Sequence, residues 1–107
     1  MSGYEERQHA METKLAHDSE FRFKVTNRRN RLLGRWAAEQ IGLVGEPAEE
    51  YAQSVVLCDF EEPGDDDVVR KVLADFGGSG VAVDEATLRQ KMAELLPIAK
   101  QQVHDTL

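Results

Sequence analysis

Apolar residues recur at steps of three, four and seven along most of the chain, a spacing that predicts four amphipathic helices. The first spans about Asp18 to Ile41, with Phe21, Val25, Leu32, Leu33, Trp36, Ala37 and Ile41 on one face. Asp18 or Ser19 is placed to accept from the unpaired N–H groups of its first turn, and Gly42 and Gly45 end it. The second opens at Pro47, whose missing N–H costs nothing in a first turn. Its stripe is Ala48, Tyr51, Ala52, Val55, Val56 and Phe60, and it stops at Glu62, before Pro63-Gly64. The third begins with Asp65-Asp66-Asp67, carboxylates suited to the positive end of a helix dipole. Val68, Val69, Val72, Leu73 and Phe76 follow, with Gly77-Gly78 as the stop signal. The fourth starts from Asp84 as N-cap and carries Leu88, Met92, Leu95, Leu96, Ala99 and Val103. Pro97 lies inside it and predicts a kink, because its ring clashes with the carbonyl four residues back.

Gly80-Val81-Ala82-Val83 is the one strand candidate, and it reads as a loop between a glycine cluster and a helix start. Helices with short connections close into bundles. The expected fold is therefore all-α: an antiparallel four-helix bundle over residues 19–107, with a flexible N-terminal segment over residues 1–18. That segment is polar, anchored only by Met11, Leu15 and scattered alanines. It has fair helix propensity and too little apolar surface to offset the cost of ordering alone.

The 107 residues suit a single domain. Net charge is −7 but unevenly spread. Residues 1–20 hold two basic and five acidic side chains, residues 21–40 six and one, and residues 41–107 five and fourteen. An acidic chain is a poor binder of nucleic acid, which needs an excess of Lys and Arg for its phosphates. No run of apolar residues approaches the roughly 20 needed to span a bilayer, and no signal peptide is evident. The expectation is a protein of the cytoplasm without direct membrane insertion. The single cysteine, Cys58, can form no internal disulfide and reads as a small buried side chain.

Catalytic and metal motifs are missing from the sequence. His9, His17 and His104 have no partner at a useful spacing, and no His-Glu-x-x-His, Cys-x-x-Cys or Gly-x-Ser-x-Gly pattern occurs. Gly77-Gly78-Ser79-Gly80 follows a helix and lacks the Lys-Ser or Lys-Thr of a phosphate loop. The acidic run Glu61 to Asp67 lacks the alternating ligands of a calcium loop and reads as helix capping and solvation. No enzyme activity, metal or cofactor is expected.

The basic stretch is the feature with function in it. Arg28, Arg31 and Arg35 are related by steps of three and four and share a helix face, with Arg22, Lys24 and Arg29 nearby. Three uses compete: pairing with the acidic helices of the bundle, docking to an acidic or phosphate-bearing partner, and contact with nucleic acid.

Several blocks resemble one family. Lys14-Leu15-Ala16-His17-Asp18-Ser19-Glu20-Phe21 is one, and Arg28-Arg29-Asn30-Arg31-Leu32-Leu33-Gly34-Arg35-Trp36-Ala37-Ala38-Glu39 is the most characteristic. Tyr51-Ala52, Val55-Val56, Asp59-Phe60-Glu61-Glu62, Gly64-Asp65-Asp66-Asp67-Val68, and Met92, Leu95-Leu96 and Lys100-Gln101 extend the likeness over nearly the whole chain. The chain resembles the zeta subunit that inhibits the F-type ATP synthase of alpha-proteobacteria. The resemblance implies a regulatory four-helix protein with a mobile N-terminus. That N-terminus enters the catalytic head between alpha and beta subunits, near the gamma rotor, and blocks rotation in the ATP-hydrolysing direction. It implies a location at the cytoplasmic face of the membrane-bound synthase. Carried onto this sequence, the inhibitory region is about Met1 to Phe21, and Tyr4, Arg7, Ala10, Glu12, Leu15, Ala16 and Phe21 are its partner-binding candidates. Leu15 departs from the aromatic the family pattern expects nearby. A competing function is a nucleotide- or phospholigand-binding bundle, with Arg28, Arg31 and Arg35 holding the phosphates of a candidate adenine nucleotide.

Overall fold

The computed structural model describes the backbone of residues 2–61 and 64–106 and the side chains of residues 19–59 and 64–106. The described chain is all helix and loop: α1 (Ser2–Ile41), α2 (Glu46–Glu61), α3 (Asp65–Gly78) and α4 (Glu85–Asp105). Contacts fix the directions. Gly34 meets Ala52, and Arg35 meets Glu49, so α1 and α2 are antiparallel. Tyr51 bonds Asp75 and Cys58 bonds the Asp67 carbonyl, so α2 and α3 are antiparallel too. Arg29 meets Asp65 and Trp36 meets Phe76, which makes α3 parallel to α1. Val25 packs with Ala99 and Val103, and Lys91 sits over Trp36, so α4 runs back along α1. The result is an up-down-up-down bundle.

α1 is about twice the length of any other helix. Forty residues at 1.5 Å each span roughly 60 Å, which accounts for the 65 Å long axis of the molecule against 25 and 23 Å in the other directions. Asp18 and Ser19, expected as its N-cap, instead lie inside this helix. Residues 4–17 contain no Gly or Pro to interrupt it. The segment's six candidate side chains from Tyr4 to Ala16, and Phe60, lie outside the described residues.

Two apolar clusters lie along α1. The larger joins Leu33, Ala37, Val55, Val68, Val69, Val72, Phe76, Leu88, Met92 and Leu95. The smaller joins Val25, Ala99 and Val103 with half-buried Phe21, and Leu32 touches both. α3 shows what drives this packing. Its three valines are poor helix formers, yet Val68, Val69 and Val72 are fully buried and the helix forms around them. Burial of each is worth roughly 1.5–3 kcal/mol, several times the propensity penalty. Trp36 meets Phe76 edge-on at 5.8 Å, closing the far end of the larger cluster.

Helix ends follow two rules. Asp84 caps α4 by accepting from the Thr87 N–H at 2.8 Å, as expected. Glycine in a left-handed conformation ends α1 and α3. At Gly42 the chain turns with φ 96° while the Leu43 N–H donates to the Ala38 carbonyl at 2.9 Å. Gly77-Gly78, expected as the stop of α3, are still helical; Gly80 turns the chain with φ 73°, and the Val81 N–H donates to the Phe76 carbonyl. Residues 81–84 have no regular structure, as expected. Two side chains depart from expectation: Leu96 is 42% exposed rather than in the apolar face, and Cys58 is half-buried rather than buried. Pro97 lies within α4, which continues past it to Asp105.

Gly34 sets the spacing of α1 and α2. A Cβ there would lie 2.6 Å from the Ala52 Cα, a backbone atom that cannot swing away. In a free helix, Gly to Ala gains about 1 kcal/mol; overpacking a tight contact costs about 1–3 kcal/mol. Gly34→Ala is expected to lower the urea midpoint, with a net loss of about 1–2 kcal/mol. A midpoint that rises instead would show that the two helices separate freely.

Candidate functional site

The basic block of α1 divides by helical geometry into two sets. Arg28, Arg31 and Arg35 point along the outside of the bundle, while Arg29, one step round, turns inward. Arg35 grips Glu49 of α2 with two bonds, Nε to Oε1 at 3.0 Å and Nη2 to Oε2 at 3.3 Å. Arg31 donates to Gln53 at 2.8 Å and lies 3.7 Å from the same Glu49. Arg28 has no acidic partner among the described residues. With Lys24 these three arginines line an open recess of about 500 Å³. The pairing use of the basic stretch is thus realised for Arg31 and Arg35. Such exposed pairs add only about 0–1 kcal/mol each, but they already place the Glu49 carboxylate between Arg31 and Arg35.

Arg29 was legible in sequence only as one of the basic block, yet it is 5% exposed and lies beside Asn30, which is fully buried. Its guanidinium donates to both Asp65 oxygens, at 2.7 and 3.4 Å, and to Asn30 Oδ1 at 3.0 and 3.2 Å. The fork geometry suits a planar bidentate pair. Asn30 Nδ2 is buried without a hydrogen-bond partner among the described residues.

Asp65, Asp66 and Asp67 form the first turn of α3, as expected, but none of them caps it. Gly64 stands at the N-cap with no side-chain cap bond. Each of the three carboxylates pairs with an arginine instead: Asp65 with Arg29 of α1, Asp66 with Arg89 of α4 at 2.8 Å, and Asp67 with Arg70 of α3 itself. The run therefore ties the first turn of α3 to α1 and α4. No group of three metal-binding side chains occurs among the described residues, and no described helix is long and apolar enough to cross a membrane.

Two other polar groups stabilise the bundle. Tyr51 donates its hydroxyl to Asp75 at 2.8 Å, and Lys71 lies over the Tyr51 ring while pairing with Asp75. Burial, and then the Asp75 carboxylate, push the Tyr51 hydroxyl well above its ordinary pKa, so it stays a donor at any physiological pH. His104 is exposed in the last turn of α4, where a basic residue suits the helix dipole.

Of the inhibitory candidates, only Phe21 has a described side chain. It is half-buried against Val25, Ala99 and Val103, the last apolar packing towards the N-terminal end of α1 among the described residues.

A family model described as ATPase inhibitor subunit zeta matches residues 1–102. Among solved structures, a solution NMR structure superposes with a TM-score of 0.69 at 47% identity, covering 79% of this chain and 96% of that one. A comparison with curated proteins returned no match.

The Arg29 guanidinium holds the Asp65 carboxyl below the usual carboxylate range, partial burial opposing it less strongly. A folded pKa below the unfolded one adds stability above the unfolded value, near 3.9. That stability is lost as pH falls through the depressed value. Asp65→Asn is expected to lose about 1–2 kcal/mol at pH 7, at the low end for a broken pair because Asp65 is more than half exposed. Urea melts from pH 7 to 3 should show the variant's deficit shrinking as pH falls. A deficit independent of pH would mean the pair is not the cause.

Proposed function

The chain belongs to the family of ATPase inhibitor zeta subunits, and from that premise we propose that it restrains the ATP synthase from hydrolysing ATP by inserting residues 1–21 into the catalytic head. Its role is regulatory rather than catalytic. The partners are the alpha, beta and gamma subunits at one catalytic interface, on the cytoplasmic face of the membrane-bound enzyme. Tyr4, Arg7, Ala10, Glu12, Leu15, Ala16 and Phe21 make the contact.

The observation that supports this reading most is the unbroken course of α1 from Ser2 to Ile41. The segment assigned to inhibition is the leading half of the same helix that anchors the bundle. A helix that enters a cleft between subunits acts as a wedge only if its far end is held, and the bundle supplies that hold. Helix-in-groove recognition relies on a few apolar anchors with charged flanks, which matches the sparse apolar residues of the segment.

A second reading, phosphate binding at Arg28, Arg31 and Arg35, has the recess beside those arginines in its favour. Against it, Arg31 and Arg35 already share Glu49.

Removing residues 1–18 is expected to abolish inhibition of ATP hydrolysis by a matched catalytic head while leaving the bundle's cooperative thermal transition in place. Replacing Arg28, Arg31 and Arg35 together by Gln should leave inhibition largely intact. Loss of inhibition in the arginine variant alone would transfer the function to that face.

A further inference from the structure

Eight of the eleven described lysines and arginines are paired with a carboxylate. The three without such a partner among the described residues are Arg22, Arg28 and Lys100, and two of these flank one groove. The groove runs along the seam of α1 and α4, holds about 650 Å³, and is lined by Phe21, Arg22, Val25, Thr26, Leu96 and Lys100. Its floor is apolar, and Leu96 is the exposed leucine that the α4 stripe does not bury. In a chain of net charge −7, an apolar slot between two cations that have no carboxylate partner among the described residues is a surface that selects for acidic partners.

Its position says what covers it. Phe21 is both a wall of the groove and the last residue assigned to the inhibitory segment. α1 runs without a break from Ser2 to Ile41, so the groove begins where that segment ends, on the same helix. If residues 1–21 are seated in a cleft, the following turn stands at the cleft's mouth, with α4 beside it.

We propose that this groove is a second docking surface on the catalytic head, taking an apolar-anchored, acidic-edged helix at the mouth of the site that holds residues 1–21. The proposal rests on the inhibitory reading above. Leu96 enters as the apolar contact, and Arg22 and Lys100 meet the acidic edge. The surface adds affinity and fixes the rotation of α1 about its axis as it enters.

The test uses the full chain with Leu96→Glu, Lys100→Glu and, as control, Ile98→Glu. Ile98 is 48% exposed on the same stretch of α4 but does not line the groove. Inhibition of ATP hydrolysis by the matched catalytic head is titrated for each, and thermal melts confirm the fold. Leu96→Glu and Lys100→Glu are expected to raise the half-inhibitory concentration about tenfold, and Ile98→Glu less than about twofold. Groove variants that inhibit like the unaltered chain overturn the proposal and leave the inhibitory reading standing. Equal weakening by Ile98→Glu also overturns it, as does an unaltered chain that sediments as a dimer which Leu96→Glu dissociates. An unaltered chain that fails to inhibit removes the inhibitory reading and this surface with it.

Discussion

Backbone proximity between α1 and α2 is the constraint on which the bundle is built. Gly34 lies against Ala52 with no room for a methyl group, and Ala37, Ala38 and Ala52 are fully buried around it. Small residues let the two backbones approach until a Cβ at Gly34 would lie 2.6 Å from the Ala52 Cα. That closeness has consequences on both sides of the contact. On the outside, Arg31 and Arg35 reach across to Gln53 and Glu49. On the inside, bulkier residues of α3 and α4, notably Phe76 and Leu88, fill the space that the alanines leave.

A polar layer then fixes the register of the remaining helices. Arg29 and Asn30 fall between Val25 of the smaller cluster and Leu33 of the larger one. Burying a guanidinium is costly unless it is paired and hydrogen-bonded. Asp65 at the first turn of α3 meets that need in one position along α1 only. Sliding α3 by a turn would keep valines against an apolar surface but strand the arginine. The layer thus contributes more to which packing is chosen than to how stable it is. Asp66 and Arg89 carry the same alignment over to α4.

What the sequence revealed was local, and what it hid was long-range. The valine stripe of α3 and the Asp84 cap are read from residues within a turn of one another, and both are found. Arg29 was hidden because spacing alone puts it in a charged block; the carboxylate that draws it inward lies 36 positions away. Leu96 was misplaced because spacing alone does not say how wide the buried stripe of α4 is: Leu95 takes the core position, and Leu96, one step round the helix, lies at its exposed edge beside α1. Gly77-Gly78 looked like a stop, but a glycine pair ends a helix only where the chain must turn left-handed, and Gly80 supplies that turn. An N-cap at Asp18 or Ser19 required the chain to leave the helix before it, and nothing in residues 4–17 makes it do so. The proposed inhibitory contacts are legible only through the family pattern, since they would be made with surfaces of another protein.

The course of α1 bears on how a polar segment can be an effective inhibitor. An isolated helix must first close a nucleating turn, which at σ near 10⁻³ costs about 4 kcal/mol. Residues 2–18 do not face that step, because residues 19–41 are already helical and held by the bundle. Extending an existing helix requires only propagation, which is close to neutral for the Glu, Arg, Lys, Ala and Met residues found there. The segment can therefore lack the apolar surface to fold alone and still present a helix to its partner at small entropic cost. Its few anchors then serve affinity rather than ordering. On the proposed reading the folded bundle and the leading half of α1 are in this sense one device: the core that Gly34 and Arg29 specify is what would hold that half ready to bind.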